Sequence, residues 1–385
     1  MMAARKIKVL FLIDRLMPGG TEKQLLELSE RLSRDNFVPV IGFLERTDYE
    51  ESLNLSTPTV NLAQHAPRFM KAVKLVHRLR NYIKDEEIDI VQTFFEDSAI
   101  LGAVAVRSMR KRPYLIGTRR NLYHWIREEP WIFRAYRISG RLADSIIVNS
   151  YSVAEKCKEL EGVNEDKIVV IQNGIDLSQY QGMSKEVARN ILGIQSSGPV
   201  IGVIGNWRPV KGQADFLRAA SNIQHQCPAA TFVLAGYGPQ RHELQDLAMS
   251  LGIGKRCKFI EGCTNSPTLV ASLDVAVQPS RSESFSNVLI EYMAAGRPVV
   301  ATRVGDAERI VDHGIDGLLV QPGNPFQLGA AILELCEDEE MAAQLGRSAS
   351  NKIAARWSME KLVDEHAALY TQVFARERVG HVRTT

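Results

Sequence analysis

The sequence has few cysteines, and none are paired at a spacing typical of metal or redox sites. Its 385 residues contain five cysteines, an odd number without a C-x-x-C pair, and the eight histidines are scattered along the chain. This pattern is typical of reduced thiols, so it argues against a disulfide framework and against a zinc enzyme. We therefore expect a cytoplasmic protein without a zinc site.

Long apolar runs are also absent. No segment approaches the ~20 apolar residues of a membrane-spanning helix. The first apolar run, Ile7–Ile13, is interrupted by Lys8 and followed by Asp14. A signal peptide needs a longer uncharged run, so this segment predicts a buried first strand.

The chain carries little net charge, because 47 Lys and Arg face 45 Asp and Glu for a formal charge of +2. A dedicated nucleic-acid-binding protein is therefore not indicated. The charge is uneven, however, with 16 Lys and Arg against 8 Asp and Glu between Val60 and Arg141. Two interpretations stay open: ordinary solvent-exposed helix faces, or a basic amphipathic surface that contacts anionic lipid beside a membrane-borne acceptor.

Alternating short apolar strands and helical patterns run along the whole chain. Such alternation predicts parallel, doubly wound α/β sheets, and the length favours two domains. We predict domains at residues 1–178 and 179–357, with a final helical segment, 358–385, crossing back to the first. The strands predicted for the first domain are 7–14, 37–44, 88–94, 113–118 and 144–150, and those for the second half are 167–174, 199–205, 230–238, 258–262, 274–280, 298–303 and 317–322.

The most informative segment places two acids eight residues apart, Glu283 and Glu291. Between them, Ser286 suits a helix N-cap and is followed by helix-forming residues from Asn287. Glu283 should therefore lie on the preceding loop, and Glu291 one turn inside the helix. A helix N-terminus flanked by acids suits a ligand that carries both phosphate and sugar hydroxyls, as a sugar nucleotide does.

Three glycine-containing segments follow predicted strands and would permit close approach to phosphate. They contain Gly20, the pair Gly205 and Asn206, and Gly236. In the second segment Arg208 and Lys211 are three residues apart and would clamp a pyrophosphate, stabilising a leaving nucleoside diphosphate without a metal. No G-x-G-x-x-G fingerprint is present, which disfavours a dehydrogenase.

In this order, these segments and the NGID sequence at Asn173 to Asp176 resemble the retaining glycosyltransferases of family 4, over nearly the whole chain. The resemblance implies the GT-B fold, two Rossmann-like domains facing a central cleft. It also implies transfer of a sugar from a nucleotide-diphosphate donor with retained anomeric configuration and no cofactor. The donor would occupy the C-terminal domain and the acceptor the N-terminal one.

The resemblance also assigns roles by position. Arg208 and Lys211 would contact the donor phosphates, and Glu283 the hydroxyls of the donor sugar. Glu291 would hold the ribose. The other donor-binding positions are Gly20, Gly205, Asn206, Gly236, Phe285, Ser286, Asn287 and Val288.

Two departures from the family pattern affect these roles. Asn206 stands where an arginine often contacts phosphate, so Arg208 is expected to substitute. The histidine usual after the fourth strand is missing, and His124 lies a little further on. His124 would take over its role at the acceptor, or alternatively be an exposed or structural histidine. Arg119 or Arg120 would instead meet an acceptor phosphate, as a lipid diphosphate-linked acceptor carries.

The sequence therefore predicts a retaining glycosyltransferase that uses a UDP-sugar, or alternatively a GDP-sugar. Its partner would be a glycan or lipid-linked acceptor in polysaccharide or glycoconjugate synthesis, reached by peripheral contact with an anionic membrane. The alternatives are a sugar-nucleotide epimerase of the same fold, which converts donor without acceptor, and a catalytically silent nucleotide-sugar binding protein.

Overall fold

The computed structural model describes residues 5–63, 68–123, 129–262 and 265–382. They form two compact units, one ending at Gly174 and resuming at Met359, the other spanning Ile175–Ser358. The sequence prediction put the first boundary four residues later, after residue 178. Gly174 stays with the first unit because its backbone is bound on both sides by Gln24, which donates to its carbonyl (2.8 Å) and accepts from its N–H (3.0 Å).

The first unit contains a seven-stranded parallel sheet in the order β3-β2-β1-β4-β5-β6-β7. Its four central strands, β1, β4, β5 and β6, are mostly apolar and buried, as parallel strands covered by helices require, whereas the edge strands β3 and β7 are partly exposed. Strand β7 was listed with the strands of the second half, although it falls within the predicted first domain, residues 1–178; it pairs with β6 in this sheet. The strands are β1 (Ile7–Ile13), β2 (Phe37–Phe43), β3 (Thr59–Asn61), β4 (Ile90–Phe94), β5 (Tyr114–Arg119), β6 (Ser145–Val148) and β7 (Ile168–Val170).

A helix lies between each pair of consecutive strands. The fourth begins at Glu96, where the Asp14 carboxylate accepts from the backbone N–H groups of Asp97 (3.1 Å) and Ser98 (2.6 Å). The helices are α1 (Gly20–Arg31), α2 (Asp48–Ser52), α3 (Arg68–Asp85), α4 (Glu96–Arg107), α5 (Pro130–Leu142) and α6 (Tyr151–Lys156).

The second unit repeats the plan with a six-stranded parallel sheet in the order β10-β9-β8-β11-β12-β13. Its strands are β8 (Val200–Ile204), β9 (Thr231–Ala235), β10 (Cys257–Ile260), β11 (Val275–Gln278), β12 (Val299–Thr302) and β13 (Leu318–Val320). Its helices are α7 (Lys185–Leu192), α8 (Gln213–Asn222), α9 (Arg241–Ser250), α10 (Ser266–Ala271), α11 (Asn287–Ala294), α12 (Ala307–Ile310), α13 (Pro325–Glu337) and α14 (Glu339–Arg356).

The closing helix α15 (Met359–Val382) belongs to the first unit. Its Tyr370 is fully buried and packs edge-on against Phe37, with ring centroids 6.1 Å apart. The Tyr370 hydroxyl also donates to the Gln92 side chain within β4. The helix is therefore part of the core of that unit. Neither α15 nor any other helix in the described residues is long and apolar enough to cross a membrane.

Candidate active site

The sheet of the second unit reverses its strand order between β8 and β11. In open α/β sheets, ligands bind at the carboxyl ends of the strands beside such a reversal. The loops that leave β8, β9, β11 and β12 meet at this edge, since Arg281 N–H donates to the Val210 carbonyl (2.8 Å) and Asp306 N–H to the Ser284 carbonyl (3.1 Å). The predicted donor residues on the β8 and β11 loops are therefore brought together.

Glycine is required where the β8 loop approaches its neighbours. At Gly212 φ is +71°, and a Cβ would lie 1.9 Å from the Pro279 carbonyl oxygen. A Cβ on Gly236 would lie 2.1 Å from the carbonyl oxygen of Gly205. Between Gly205 and Gly212, Trp207 is fully buried and anchors the loop. The structure thus gives Gly212 and Gly236 a packing role, which keeps the adjoining basic residues at the surface.

Lys211 and Glu283 form an ion pair at this edge. The Lys211 Nζ lies 2.6 Å from Glu283 Oε1, which also accepts from the Ser280 hydroxyl at 2.9 Å. The Glu283 side chain is 11% exposed and that of Lys211 32% exposed. A buried carboxylate needs such partners to compensate its lost hydration, whereas the lysine retains a face toward solvent.

Other charges at the edge position the loops. Arg208 is exposed. The buried Asp215 holds Arg281 with two hydrogen bonds of 2.8 and 2.9 Å, tying the β11 loop to α8. The sequence analysis did not identify this pair. Within the residues that the structure covers, no three His, Cys, Asp or Glu side chains are grouped to hold a metal ion.

Helix α11 begins as predicted, with the Ser286 hydroxyl accepting from the Leu289 N–H at 3.3 Å. Phe285 is buried and packs against Trp357, so only its backbone is placed to meet a ligand. Val288 is partly buried against the same core. The first turn of α11 thus presents backbone N–H groups rather than apolar side chains, the arrangement that favours an anion.

Glu291 lies one turn into α11, beyond Asn287. Its carboxylate accepts from the Ser266 hydroxyl, which belongs to α10. Burial and the Glu291 carboxylate raise the pKa of the nearby Tyr180. Glu291 therefore lies among hydroxyl groups. In such an environment its carboxylate can exchange a hydrogen bond from a protein hydroxyl for one from a ligand diol. Ser266 and Tyr180 carried no signal in the sequence, since neither belongs to a recognisable motif.

In the first unit, Gly20 is the exposed first residue of α1. Arg120 lies beyond the carboxyl end of β5 and donates to the Asn173 side-chain oxygen. Burial lowers the pKa of Arg120 to about 10, and the Glu22 carboxylate opposes that shift. Arg120 therefore remains a candidate acceptor contact. His124 lies outside the described residues.

The proposal that Arg119 meets an acceptor phosphate is corrected by the structure. Its guanidinium is 1% exposed and pairs with the fully buried Glu161 through two bonds of 2.6 and 3.0 Å. The guanidinium carbon also lies 3.8 Å from the centroid of the Tyr136 ring. Removing a buried charge from such a pair is strongly unfavourable. Arg119 is thus a structural residue of the first unit.

Two carboxyl groups missed by the sequence analysis flank the reversal of the first sheet, where β1 and β4 are neighbours. Burial raises the pKa of Asp14 to about 6, although N–H groups of Ser98 and Asp97 counteract it. Burial and the Asp14 carboxylate raise the pKa of Glu96 to about 7. Glu96 Oε1 has no hydrogen-bond partner in the described structure, and Phe95 before it has a φ of +66°.

Replacing Glu96 by glutamine is expected to stabilise the first unit at alkaline pH. Because the folded-state pKa is raised, the folded protein binds this proton more tightly than the unfolded chain does, so stability falls as pH rises from about 4.5 to 7. Glu96→Gln removes that loss. We expect a gain of about 1–3 kcal/mol in the free energy of unfolding at pH 8, shrinking toward pH 4, by urea titration.

The control for this prediction is Asp35→Asn, the same carboxyl-to-amide change at an exposed position of the first unit. It should leave the pH dependence unaltered. An equal stability difference between wild type and Glu96→Gln at pH 4 and pH 8 would show that the Glu96 carboxyl is not the titrating group.

Comparison with protein-family models gives two matches that together cover most of the chain. The model described as Glycosyltransferase Family 4 matches residues 18–179, and the model described as Glycosyl transferases group 1 matches residues 184–352. The two matches meet close to the boundary between the structural units.

Individual proteins resemble the chain over a large part of its length. It is 28% identical to the N-acetyl-alpha-D-glucosaminyl L-malate synthase of Bacillus anthracis over 66% of each chain. It is 31% identical to the D-inositol 3-phosphate glycosyltransferase of Nocardia farcinica over 63% of this chain, and the match spans 57% of that relative. The crystal structure of Anabaena Alr3699/HepE in complex with UDP-glucose aligns with a TM-score of 0.84 at 25% identity, covering 95% of this chain and 100% of that one.

Proposed function

The chain belongs to the group 1 glycosyltransferases and has the GT-B fold, and from this premise we propose a retaining enzyme that uses a UDP-sugar. The acceptor is a hydroxyl of a glycan or of a lipid-linked saccharide in polysaccharide or glycoconjugate synthesis. The observation that carries the proposal is the Lys211–Glu283 pair, 2.6 Å apart, on loops that adjoin the first turn of α11. One cation, one carboxylate and one helix N-terminus there match the diphosphate and sugar of such a donor.

Two parts of α11 orient the donor: its first turn, and Glu291 one turn further along the helix. Its first turn, from Ser286, receives the diphosphate, while Glu291 accepts the ribose hydroxyls after exchanging its bond with Ser266. Arg208, exposed on the β8 loop, adds a second positive charge at the phosphates. Support for a uridine nucleotide comes from the Anabaena neighbour, whose structures contain UDP and UDP-glucose.

The reaction needs the Lys211 ammonium to leave Glu283 and bind the diphosphate. Negative charge grows on the diphosphate oxygen as its bond to the anomeric carbon breaks, and Lys211 neutralises that charge. The acceptor oxygen forms the new bond on the same face of the sugar and gives its proton to the leaving diphosphate. Glu283, once released, accepts hydrogen bonds from the sugar hydroxyls. In this account the protein's own cations replace a divalent metal.

The acceptor binds the first unit in this proposal. We assign Arg120 to the acceptor at the carboxyl edge of β5, where it now donates to Asn173, since Arg119 is committed to Glu161. An acceptor with a diphosphate would fit this charge, which favours a lipid-linked saccharide. The excess of Lys and Arg between Val60 and Arg141 supports peripheral contact with an anionic membrane.

A donor screen tests the proposal. Thermal unfolding is measured with saturating UDP-, GDP- and ADP-sugars in the presence of EDTA. Binding to the folded state alone raises stability by mass action, about 2.7 kcal/mol at a hundredfold excess over Kd. We expect UDP-sugars to raise the melting temperature by several degrees. We expect EDTA to change neither sugar transfer nor the melting temperature.

The products then separate the proposal from its alternatives. With an acceptor present, the new linkage should keep the anomeric configuration of the donor, by NMR. A new sugar nucleotide formed without acceptor would indicate an epimerase, and tight donor binding without turnover would indicate a binding protein. Either result would contradict the proposed reaction.

A further inference from the structure

A cavity of about 790 Å³ opens in the first unit at the amino ends of β4 and β5. This edge of the sheet is opposite the one that carries Asp14, Glu96 and Arg120. Its walls are the last turn of α3, the segments that lead into β4 and β5, and Phe374 of α15. The cavity has a size typical of sites for small organic ligands. No residue proposed for the donor or acceptor lines it.

The floor of the cavity is apolar and firmly held. Ile83 and Ile88 are buried, and Met109 and Phe374 are partly buried. The wall is fixed at β5, where the Tyr114 hydroxyl and Ser145 Oγ are 2.6 Å apart. An apolar, preformed floor of this kind favours a hydrocarbon group over water.

The rim, in contrast, is strongly basic. Arg80, Lys84, Arg110 and Lys111 are exposed, and none makes an ion pair or side-chain hydrogen bond with another described residue. Six basic side chains line the cavity in all, against two acidic ones. The remaining two are compensated: Arg5 lies 3.2 Å from Asp89, and Arg112 lies 2.6 Å from Asp144.

Four basic side chains without an ion-pair partner among the described residues surround an apolar floor, and this combination indicates a ligand with both an anionic and an apolar part. An inorganic anion would leave the floor empty, and a neutral hydrocarbon would leave the cations unpaired. We propose that this cavity binds an anionic amphiphile, a lipid phosphate whose hydrocarbon chain lies on the floor formed by Ile83, Ile88, Met109 and Phe374. Its phosphate is bound by Lys84, Arg110 and Lys111 at the rim.

Such a site gives the basic excess of the sequence a specific role. Of the 16 Lys and Arg between Val60 and Arg141, five line this one cavity: Arg80, Lys84, Arg110, Lys111 and Arg112. They come from two separate segments that the fold brings together. Binding of a lipid phosphate here holds the first unit against a surface that contains this lipid, independently of the nucleotide donor.

The test uses dodecyl phosphate below its critical micelle concentration as the probe, titrated by calorimetry. Arg110→Glu/Lys111→Glu reverses two charges at the rim. Lys71→Glu/Lys74→Glu reverses two charges on α3 that do not line the cavity, so the net charge of both variants is equal. We expect the first variant to weaken binding by about tenfold or more and the control by less than about twofold.

Three further arms keep the outcome decisive. Met109→Trp, which fills the floor, should weaken dodecyl phosphate binding, while circular dichroism and melting show all variants folded. Inorganic phosphate and the neutral dodecyl maltoside should each bind at least about tenfold more weakly than dodecyl phosphate. No binding by the wild type, equal loss in both charge variants, or equal binding of either comparison ligand would overturn the proposal. UDP-sugar binding, measured in parallel, should be unchanged in Arg110→Glu/Lys111→Glu.

Discussion

Replacing Lys211 by alanine is expected to lower kcat/KM for sugar transfer about 10²–10³-fold, the loss typical when one preorganised donor to a developing negative charge is removed. The ammonium is held at this edge by Glu283 at 2.6 Å and keeps a face toward solvent. In the transition state the diphosphate carries more negative charge than in the bound donor, so the loss should fall mainly on kcat. Initial rates with a UDP-sugar measure it.

The matched control for Lys211→Ala is Lys255→Ala, the same change at an exposed position of the same unit. Its rates should stay close to those of the wild type. Because Glu283 still accepts from Ser280, Lys211→Ala should also fold normally. If Lys211→Ala retained kcat within about threefold of wild type, the cation would not act on the leaving group.

Glu283→Gln is expected to separate sugar recognition from nucleotide binding. The amide keeps the size of the side chain but no longer attracts Lys211, whose ammonium becomes freely available to the diphosphate. We therefore expect donor affinity to be unchanged or tighter, whereas kcat falls about 10²-fold because hydrogen bonds to the reacting sugar are weakened. Calorimetry with UDP and steady-state rates measure the two quantities.

Glu308→Gln serves as the control for Glu283→Gln, since this exposed acid pairs with Arg303 at 2.6 Å near the same edge of the sheet. It should alter neither quantity. The opposite pattern in Glu283→Gln, weaker UDP binding with unchanged kcat, would assign Glu283 to nucleotide binding and contradict its role at the sugar.

Most of the fold could be predicted from local sequence, because buried parallel strands are continuous apolar runs separated by helical patterns. The short elements α2 and β3 were not predicted, since segments of five and three residues are too short to show a clear hydrophobic periodicity. The strand β7 was recognised as a strand and lies within the predicted first domain, residues 1–178, although it was listed with the strands of the second half. Sheet membership depends on pairing with β6, which no local pattern encodes.

Those parts of the candidate site that depend only on residues close together in the sequence were predictable. Ser286 as N-cap and Glu291 one turn inside α11 follow from neighbouring residues alone. Contacts between distant segments were not predictable. Lys211 pairs with Glu283 across 72 positions, and Arg119 with Glu161 across 42. The second pair turned a proposed ligand contact into a buried structural residue.

Hydrogen exchange with and without saturating UDP-glucose tests the central claim most directly, because it locates the donor on the chain. The account predicts slower amide exchange at Gly205–Gly212 and at residues 284–291, the β8 loop and the first turns of α11. Exchange at residues 109–113, beside the separate cavity of the first unit, should stay the same. Unchanged exchange at both donor segments, with protection confined to other parts of the chain, would contradict it.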